Sequence, residues 1–365
     1  MNQKSILITG GLGFIGSHIA IEAIQQGYRV SIIDNLSRPT SPQNNNKEKT
    51  KFFTRNLIQE KYPSIRIYVK DIRNKETLQQ IFAEIQPSIV IHAAGQTSAI
   101  DSISNPEFDF QNNVIGLFNI LECCRQSLNR TTFIYFSTNK VYGTAPNNVS
   151  LTEGDLRYFP SNPKTMGIAE NSSIDQTKHT PYGISKLTGD LYVQEYGKLY
   201  NMDTCVFRLS CIYGDRQFGF EEQGWVSHFV IQALLNKEIT IYGNGKQVRD
   251  ILYIDDLVDL VMTYLQKMEN SESQEFLDQE ANKVFNVGGG KENTISLLEL
   301  IDIIEDQLGK KIMLSSQIWR PADQKYYVTD ISKVSKAFSW QPQIDALKGL
   351  KNLIVWTQNH IELFS

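Results

Sequence analysis

Cysteine and histidine are both scarce in this sequence, at four and five residues in 365. Cys123, Cys124, Cys205 and Cys211 lack zinc-ligand spacing and the histidines are scattered singly, so no metal site is expected. The four thiols read as small core residues of a reducing compartment. Long apolar runs are missing too: no stretch approaches the roughly 18 residues that cross a bilayer, which argues against a membrane partner. Neither sign of charge dominates, with 36 Lys and Arg against 40 Asp and Glu and a formal net charge of -4. No run interleaves Lys or Arg with aromatics, which argues against nucleic acid. Met1 to Lys4 is a short polar lead with no room for a signal peptide, so the expected location is cytoplasmic. There is no internal repeat.

What the sequence has is alternation. Ser5–Ile8, Arg29–Asp34, Ile65–Asp71, Ser88–Ala93, Thr132–Phe136 and Thr204–Arg208 are short, nearly continuous apolar runs, as in parallel strands buried on both faces. Helical patterns over Phe14–Gln26, Lys75–Ile85, Phe108–Leu128 and Tyr182–Tyr200 lie between them. Strands alternating with helices predict an α/β fold, a Rossmann-type doubly wound parallel sheet. Leu36–Asn56, with the run Asn44-Asn45-Asn46, reads as an exposed loop, and Thr144–Thr180 as a long functional insert. Beyond Arg208 the pattern predicts a helix over Trp225–Asn236, a strand over Ile239–Tyr242, a helix over Asp255–Lys267 and a strand over Val284–Val287. Ser296-Leu297-Leu298-Glu299 has capping-box spacing and opens a helix through Leu308. The expected division is 1–207 plus about 249–288 for the nucleotide-binding part. A smaller C-terminal α/β lobe, about 208–248 plus 289–365, would bind substrate.

Gly10, Gly13 and Gly16 stand between the first strand and the first helix. The first glycine permits a tight turn, the second lets the backbone approach a pyrophosphate, and the third lets helix and strand pack closely. The helix N-terminus would offer unpaired N–H groups to the phosphates, with Phe14 and Ile15 beside them. Asp34 ends the second strand, 18 positions after Gly16, followed by Asn35. Its carboxylate would accept the ribose hydroxyls and repel a 2′-phosphate, which selects NAD over NADP. Asp71-Ile72 and Ala93-Ala94-Gly95 end the next two strands, at the ligand edge of such a sheet.

Tyr182-Gly-Ile-Ser-Lys186 has i, i+4 spacing, so both side chains share one helix face. A Lys⁺ and a positive nicotinamide would both favour the phenolate, making Tyr182 a base for a sugar hydroxyl as hydride leaves the same carbon. Lys186 could also hold the nicotinamide ribose. Strand five ends in Ser137-Thr138-Asn139. Either hydroxyl could share the tyrosine's proton, and Asn139 could orient the sugar.

Together these residues resemble the extended short-chain dehydrogenases/reductases that modify sugar nucleotides, the NAD-dependent epimerase/dehydratase group, over nearly the whole chain. The resemblance implies the catalytic set Thr138, Tyr182 and Lys186. Thr138 is chosen because the family's hydroxyl lies five residues before the Gly of Val141-Tyr142-Gly143. It also implies a cofactor role for Asn113 and diphosphate contacts from Arg249 and Arg320. Dehydratases of the family carry an Asp-Glu pair after that Thr; here Asn139 and Lys140 stand there, so elimination lacks its acid. Ser137–Gly143, the long insert, Gln223-Gly224-Trp225-Val226, Gly243–Asp250 and Asp323-Gln324 point to members that invert C2 of a CDP-activated hexose. The implied substrate contacts are Thr138, Asn139, Lys140, Gln223, Trp225, Arg249 and Arg320. The implied partners are a CDP-sugar and a second copy of the chain, in a dimer or tetramer. A UDP-hexose 4-epimerase and a CDP-glucose 2-epimerase are the alternatives. A non-catalytic NAD sensor would keep the glycines and Asp34 without needing all three catalytic residues.

Overall fold

The structure, a computed structural model, describes residues 3–38, 46–127, 130–165, 167–269 and 283–364. Seven strands form the large sheet: β1 (Ser5–Thr9), β2 (Arg29–Asp34), β3 (Arg66–Val69), β4 (Ile89–His92), β5 (Thr132–Thr138), β8 (Asp203–Leu209) and β12 (Val284–Val287). Their order is β12-β8-β5-β4-β1-β2-β3, and every pairing is parallel. Chain order reverses between β1 and β4, which opens a crevice at the carboxyl edge. Alternate residues bury opposite faces. Ile6, Ile8, Ile32 and Ile134 enter one core, and Leu7, Ile33, Val90 and Phe133 the other. That two-sided burial explains the continuous apolar runs.

The remaining strands are short and lie outside the large sheet, including Val248–Tyr253, which the expected division places with the nucleotide-binding part. The insert contributes an antiparallel hairpin, β6 (Leu151–Glu153) with β7 (Tyr158–Pro160). The strand β9 (Cys211–Tyr213) pairs in parallel with β11 (Val248–Tyr253), which also pairs with β13 (Thr294–Ser296) and β15 (Tyr326–Tyr327). A separate pair joins β10 (Ile239–Tyr242) to β14 (Leu314–Gln317). Ser296 and Glu299 close the expected capping box on the helix Leu297–Leu308.

Two readings needed correction. A helix, Lys47–Lys61, occupies the second part of the expected Leu36–Asn56 loop. Its buried stripe is Thr50, Thr54 and Ile58 at four-residue spacing, so two threonines hide an amphipathic pattern that reads as polar. Asn44 and Asn45 lie outside the described residues. The expected single helix over Phe108–Leu128 is interrupted: Pro106–Phe110 leads into a π-turn, Gln111–Gly116, and then Leu117–Arg125. Leu128 lies outside the described residues. The Thr144–Thr180 insert is tied to segments beyond Arg208 and ends in the lining of a cleft. Arg157 pairs with Glu299 at 2.5 Å, and Asn244 donates to the Tyr158 hydroxyl at 2.7 Å.

Candidate active site

Gly10 has φ +67°, and a Cβ there would stand 2.6 Å from the Ala94 nitrogen. On Gly16 a Cβ would stand 2.4 Å from the Gly10 carbonyl oxygen. Gly13 is the N-cap of the helix Phe14–Gln25 and has no side chain to cap it, so the first turn keeps its N–H groups for a ligand. Phe14, Ile15, Ala93, Ala94 and Gly95 line a cleft of about 220 Å³ at this point. The cradle fits a dinucleotide: bare backbone faces the helix N-terminus where side chains would obstruct it.

Asp34 accepts hydrogen bonds from the backbone N–H of Leu12 at 3.0 Å and of Leu36 at 2.8 Å. Burial raises its pKa, opposed by those two hydrogen bonds and by the Arg38 charge. Asn35 donates to Asp71 at 2.9 Å, and Arg73 pairs with Asp71 at 2.7 Å, whose hydrogen bonds hold that carboxyl well below its ordinary value. These residues lie outside the lining of the cleft. Ile72 and Asn113 turn inward. Ile72 packs in the core, and Gly116 comes so close that a Cβ would meet it at 2.5 Å. Asn113 accepts from the Gln96 N–H at 2.8 Å and donates to the Gln96 carbonyl, Asp109 and Ser185. The π-turn sets that amide between the β4 loop and the catalytic helix, so Asn113 acts through its neighbours.

Alternation along β5 separates the two candidate hydroxyls. Ser137 donates inward to Asp190 at 2.8 Å, and Asp190 is paired with buried Arg208 at 2.9 Å. Ser137 also reaches the first cleft, but only Thr138 lines both clefts with Tyr182. Pro181 and Thr180 start the catalytic helix Pro181–Leu199, where the Thr180 hydroxyl accepts from Gly183 N–H. Burial pushes Tyr182 up to about 12, with the Thr138 hydroxyl acting in the opposite direction. Burial brings Lys186 down to about 7, opposed by Asp190 and Asp109. Its ammonium sits 4.2 Å from the centre of the Tyr135 ring. In the protein alone, then, burial and not Lys186 dominates Tyr182. The expected lowering of the Tyr182 pKa by Lys186 is therefore corrected: the buried hydroxyl is raised, because desolvation of the phenolate outweighs the Thr138 hydrogen bond.

A second cleft of about 300 Å³ opens beside the first, and Thr97, Thr138, Tyr182, Cys211, Gln223 and Trp225 line both. Asn139, Lys140, Arg249 and Arg320 line the second one, so the structure brings together every substrate residue the sequence suggested. Its far end is strongly charged. Arg249 pairs with Asp323 at 2.7 Å, while Arg320 approaches Glu222 at 3.5 Å and stacks 4.0 Å over the Tyr242 ring. Burial and the Arg249 charge lower Lys140. Although burial opposes it, Arg249 and Lys140 hold Asp323 below its ordinary value. Glu221, Glu222 and Tyr242 had no motif to signal them. Cys211, expected in the core, sits at the junction of the clefts, because β9 leaves the large sheet just where β8 ends.

The sequence matches the NAD dependent epimerase/dehydratase family over residues 6–288. The chain belongs to that family. It is 35% identical to a CDP-paratose 2-epimerase of Salmonella typhi, over 97% of this chain and 99% of that protein. It is 32% identical to a putative UDP-glucose 4-epimerase of Methanocaldococcus jannaschii, over 97% and 99% respectively. Among solved structures it resembles the UDP-glucuronic acid 4-epimerase of Bacillus cereus, in complex with UDP-glucuronic acid and NAD. The TM-score is 0.78 at 25% identity, covering 98% of this chain and 99% of that one. The protein is therefore an NAD-dependent enzyme of the nucleotide-sugar epimerase group with a Rossmann-type fold.

Proposed function

We propose that the protein inverts C2 of a CDP-activated hexose, of the CDP-paratose to CDP-tyvelose type, through a transient 2-keto sugar. The choice of C2 and of CDP rests on the 35% likeness to the Salmonella typhi protein over nearly its full length. The site supports oxidation and re-reduction over elimination. Asn139 and Lys140 stand where the family's dehydratases carry an Asp-Glu pair, and the acids that do line the cleft are engaged elsewhere, Asp323 with Arg249, Glu222 with Arg320 and Glu221 with the Tyr242 hydroxyl. Paratose has no hydroxyl at C3, so a 3-keto route to an acidic C2–H is closed and direct oxidation at C2 remains.

Thr138 and Tyr182 lie where the two clefts meet, so the reacting carbon belongs there. NAD⁺ held against the glycine cradle and Ala93, Ala94 and Gly95 would supply the hydride acceptor and donor for C2. Tyr182 takes the C2 hydroxyl proton and gives it back, with Thr138 sharing it. Lys186 holds the cofactor ribose, and the positive charge of a bound nicotinamide would favour the Tyr182 phenolate. Arg249 and Arg320 meet the diphosphate, since the guanidinium fork matches phosphate oxygens; both are held by acids until a stronger anion arrives.

The test is substrate deuterated at C2. A primary isotope effect with the label kept at C2 after inversion is expected. Loss of the label to solvent would indicate proton abstraction instead, and a primary effect only with C4-deuterated substrate would make the protein a 4-epimerase. We further propose a homodimer. An exposed apolar face runs over Phe118, Leu191, Tyr192, Leu199 and Tyr200 on two adjacent helices, with Phe118 edge-on to Tyr192 at 6.1 Å.

A further inference from the structure

Cys211 and Trp225 both reach the seam between the cofactor and sugar clefts, alongside Thr138 and Tyr182. The Trp225 indole N–H, the ring's single polar atom, is donated to the Cys211 sulfur at 3.5 Å. Trp225 in turn packs edge-on against Phe229 at 5.8 Å, and Phe229 lines the sugar cleft. Burial raises the Cys211 thiol above its ordinary value, so it is a neutral, weakly polar group at neutral pH. With the indole N–H spent on sulfur, the thiol and indole themselves offer a passing hydroxyl no strong hydrogen-bond partner, although the Arg249 and Lys140 charges act on the same thiol from the neighbouring lining.

We propose that Cys211 and Trp225 are specificity determinants that select a hexose lacking the hydroxyl next to the carbon being oxidised. The inference rests on the C2 reading above. C2 has two ring neighbours: C1, which carries the phosphate, and C3. With C2 at the seam and C1 directed to the charged end at Arg249 and Arg320, C3 is the neighbour left to face the thiol and indole. A methylene at C3 fills that wall. A C3 hydroxyl gives up its water there and regains only a weak S–H contact. An apolar surface rejects an added hydroxyl by about a hundredfold at most, so the selectivity expected is about ten- to hundredfold. Thr97 and Gln223 also reach the seam, so the test changes the Cys211 atom alone.

The experiment compares CDP-paratose with CDP-glucose, reading kcat/KM from C2 configuration by NMR and Kd by calorimetry on the NAD-loaded protein. Wild type should favour the 3-deoxy sugar by about ten- to hundredfold in both readings. Cys211→Ser places a true hydroxyl where the thiol was and should narrow that ratio about tenfold. Cys211→Ala keeps the wall apolar and should preserve it. Equal affinity and turnover of the two sugars on wild type would overturn the proposal without any variant. So would a Cys211→Ser ratio equal to wild type, or equal shifts in Ser and Ala. Wild type that binds the deoxy sugar preferentially but leaves C2 unchanged would refute the 2-epimerase reading and with it the placement of C3 at this wall, whereas inversion at C2 with equal affinity for both sugars would refute the wall alone.

Discussion

Tyr182 illustrates how one side chain can be placed by sequence and tuned by surroundings. Its spacing from Lys186 is visible in the chain, but its pKa of about 12 in the protein alone comes from burial. Replacing Tyr182 with Phe removes the hydroxyl and little else. NAD binding and the melting temperature should persist, while kcat should fall by at least ~10²-fold, the usual loss of a general acid–base. Steady-state kinetics beside thermal melts check this, and near wild-type turnover would reject the assignment. Asp34 is the second residue with a sharp expectation. Its carboxylate is fixed by two backbone N–H groups, with Arg38 acting on it electrostatically. Asp34→Ser leaves Arg38 in place and removes the repulsion toward a 2′-phosphate. Titration of the variant should show NADP affinity rising towards that for NAD, whereas wild type should strongly prefer NAD.

Among the elements, β4 carries a pH-sensitive group that no motif announces. His92 is buried at the end of that strand, 2.8 Å from the Thr9 hydroxyl through Nδ1 and stacked near Tyr135 at 5.9 Å. Burial, aided by the Lys186 charge, lowers it from 6.5 to about 3. The native state therefore keeps this ring neutral, while the unfolded chain binds a proton below about pH 6.5. Stability from this group is complete above that pH and falls as pH drops towards 3. At pH 5 the loss should be about 2 kcal/mol. Urea melts at pH 7 and pH 5 measure it, and His92→Gln should flatten that part of the slope. The same strand delivers Ala93, Ala94 and Gly95 to the cofactor cleft, so acid destabilisation and loss of NAD should coincide.

At the scale of the molecule, the catalytic helix has two jobs. One face holds Tyr182 and Lys186 buried at the clefts; another leaves Leu191, Tyr192 and Leu199 in solvent. Leu199, the last residue of that helix, is 71% exposed, and exposed apolar patches of this kind mark interaction surfaces. Sedimentation equilibrium should report a dimer for wild type, and Leu191→Asp with Tyr192→Asp should yield monomer. A wild-type monomer at micromolar concentration would refute the proposed assembly.

The large sheet, the glycine cradle and the Tyr-Lys face were legible in the chain because each depends on local relations. Apolar runs bury both faces of a strand, glycines stand where a Cβ would strike backbone, and i, i+4 spacing sets two side chains on one helix face. The helix Lys47–Lys61 was hidden because threonines form its buried stripe, and the break at Gln111–Gly116 because a π-turn has no composition of its own. The sequence alone also left Ser137 and Thr138 equivalent in chemistry; only the folded sheet ties the Ser137 hydroxyl to Asp190 and sets Thr138 in the lining of both clefts. Arg249, Asp323, Arg320 and Lys140 come from separate segments, and Cys211 looked like any buried thiol. Their meeting around one cleft was decided by tertiary structure, because burial and charge pairing across distant segments exist only once the chain has closed on itself.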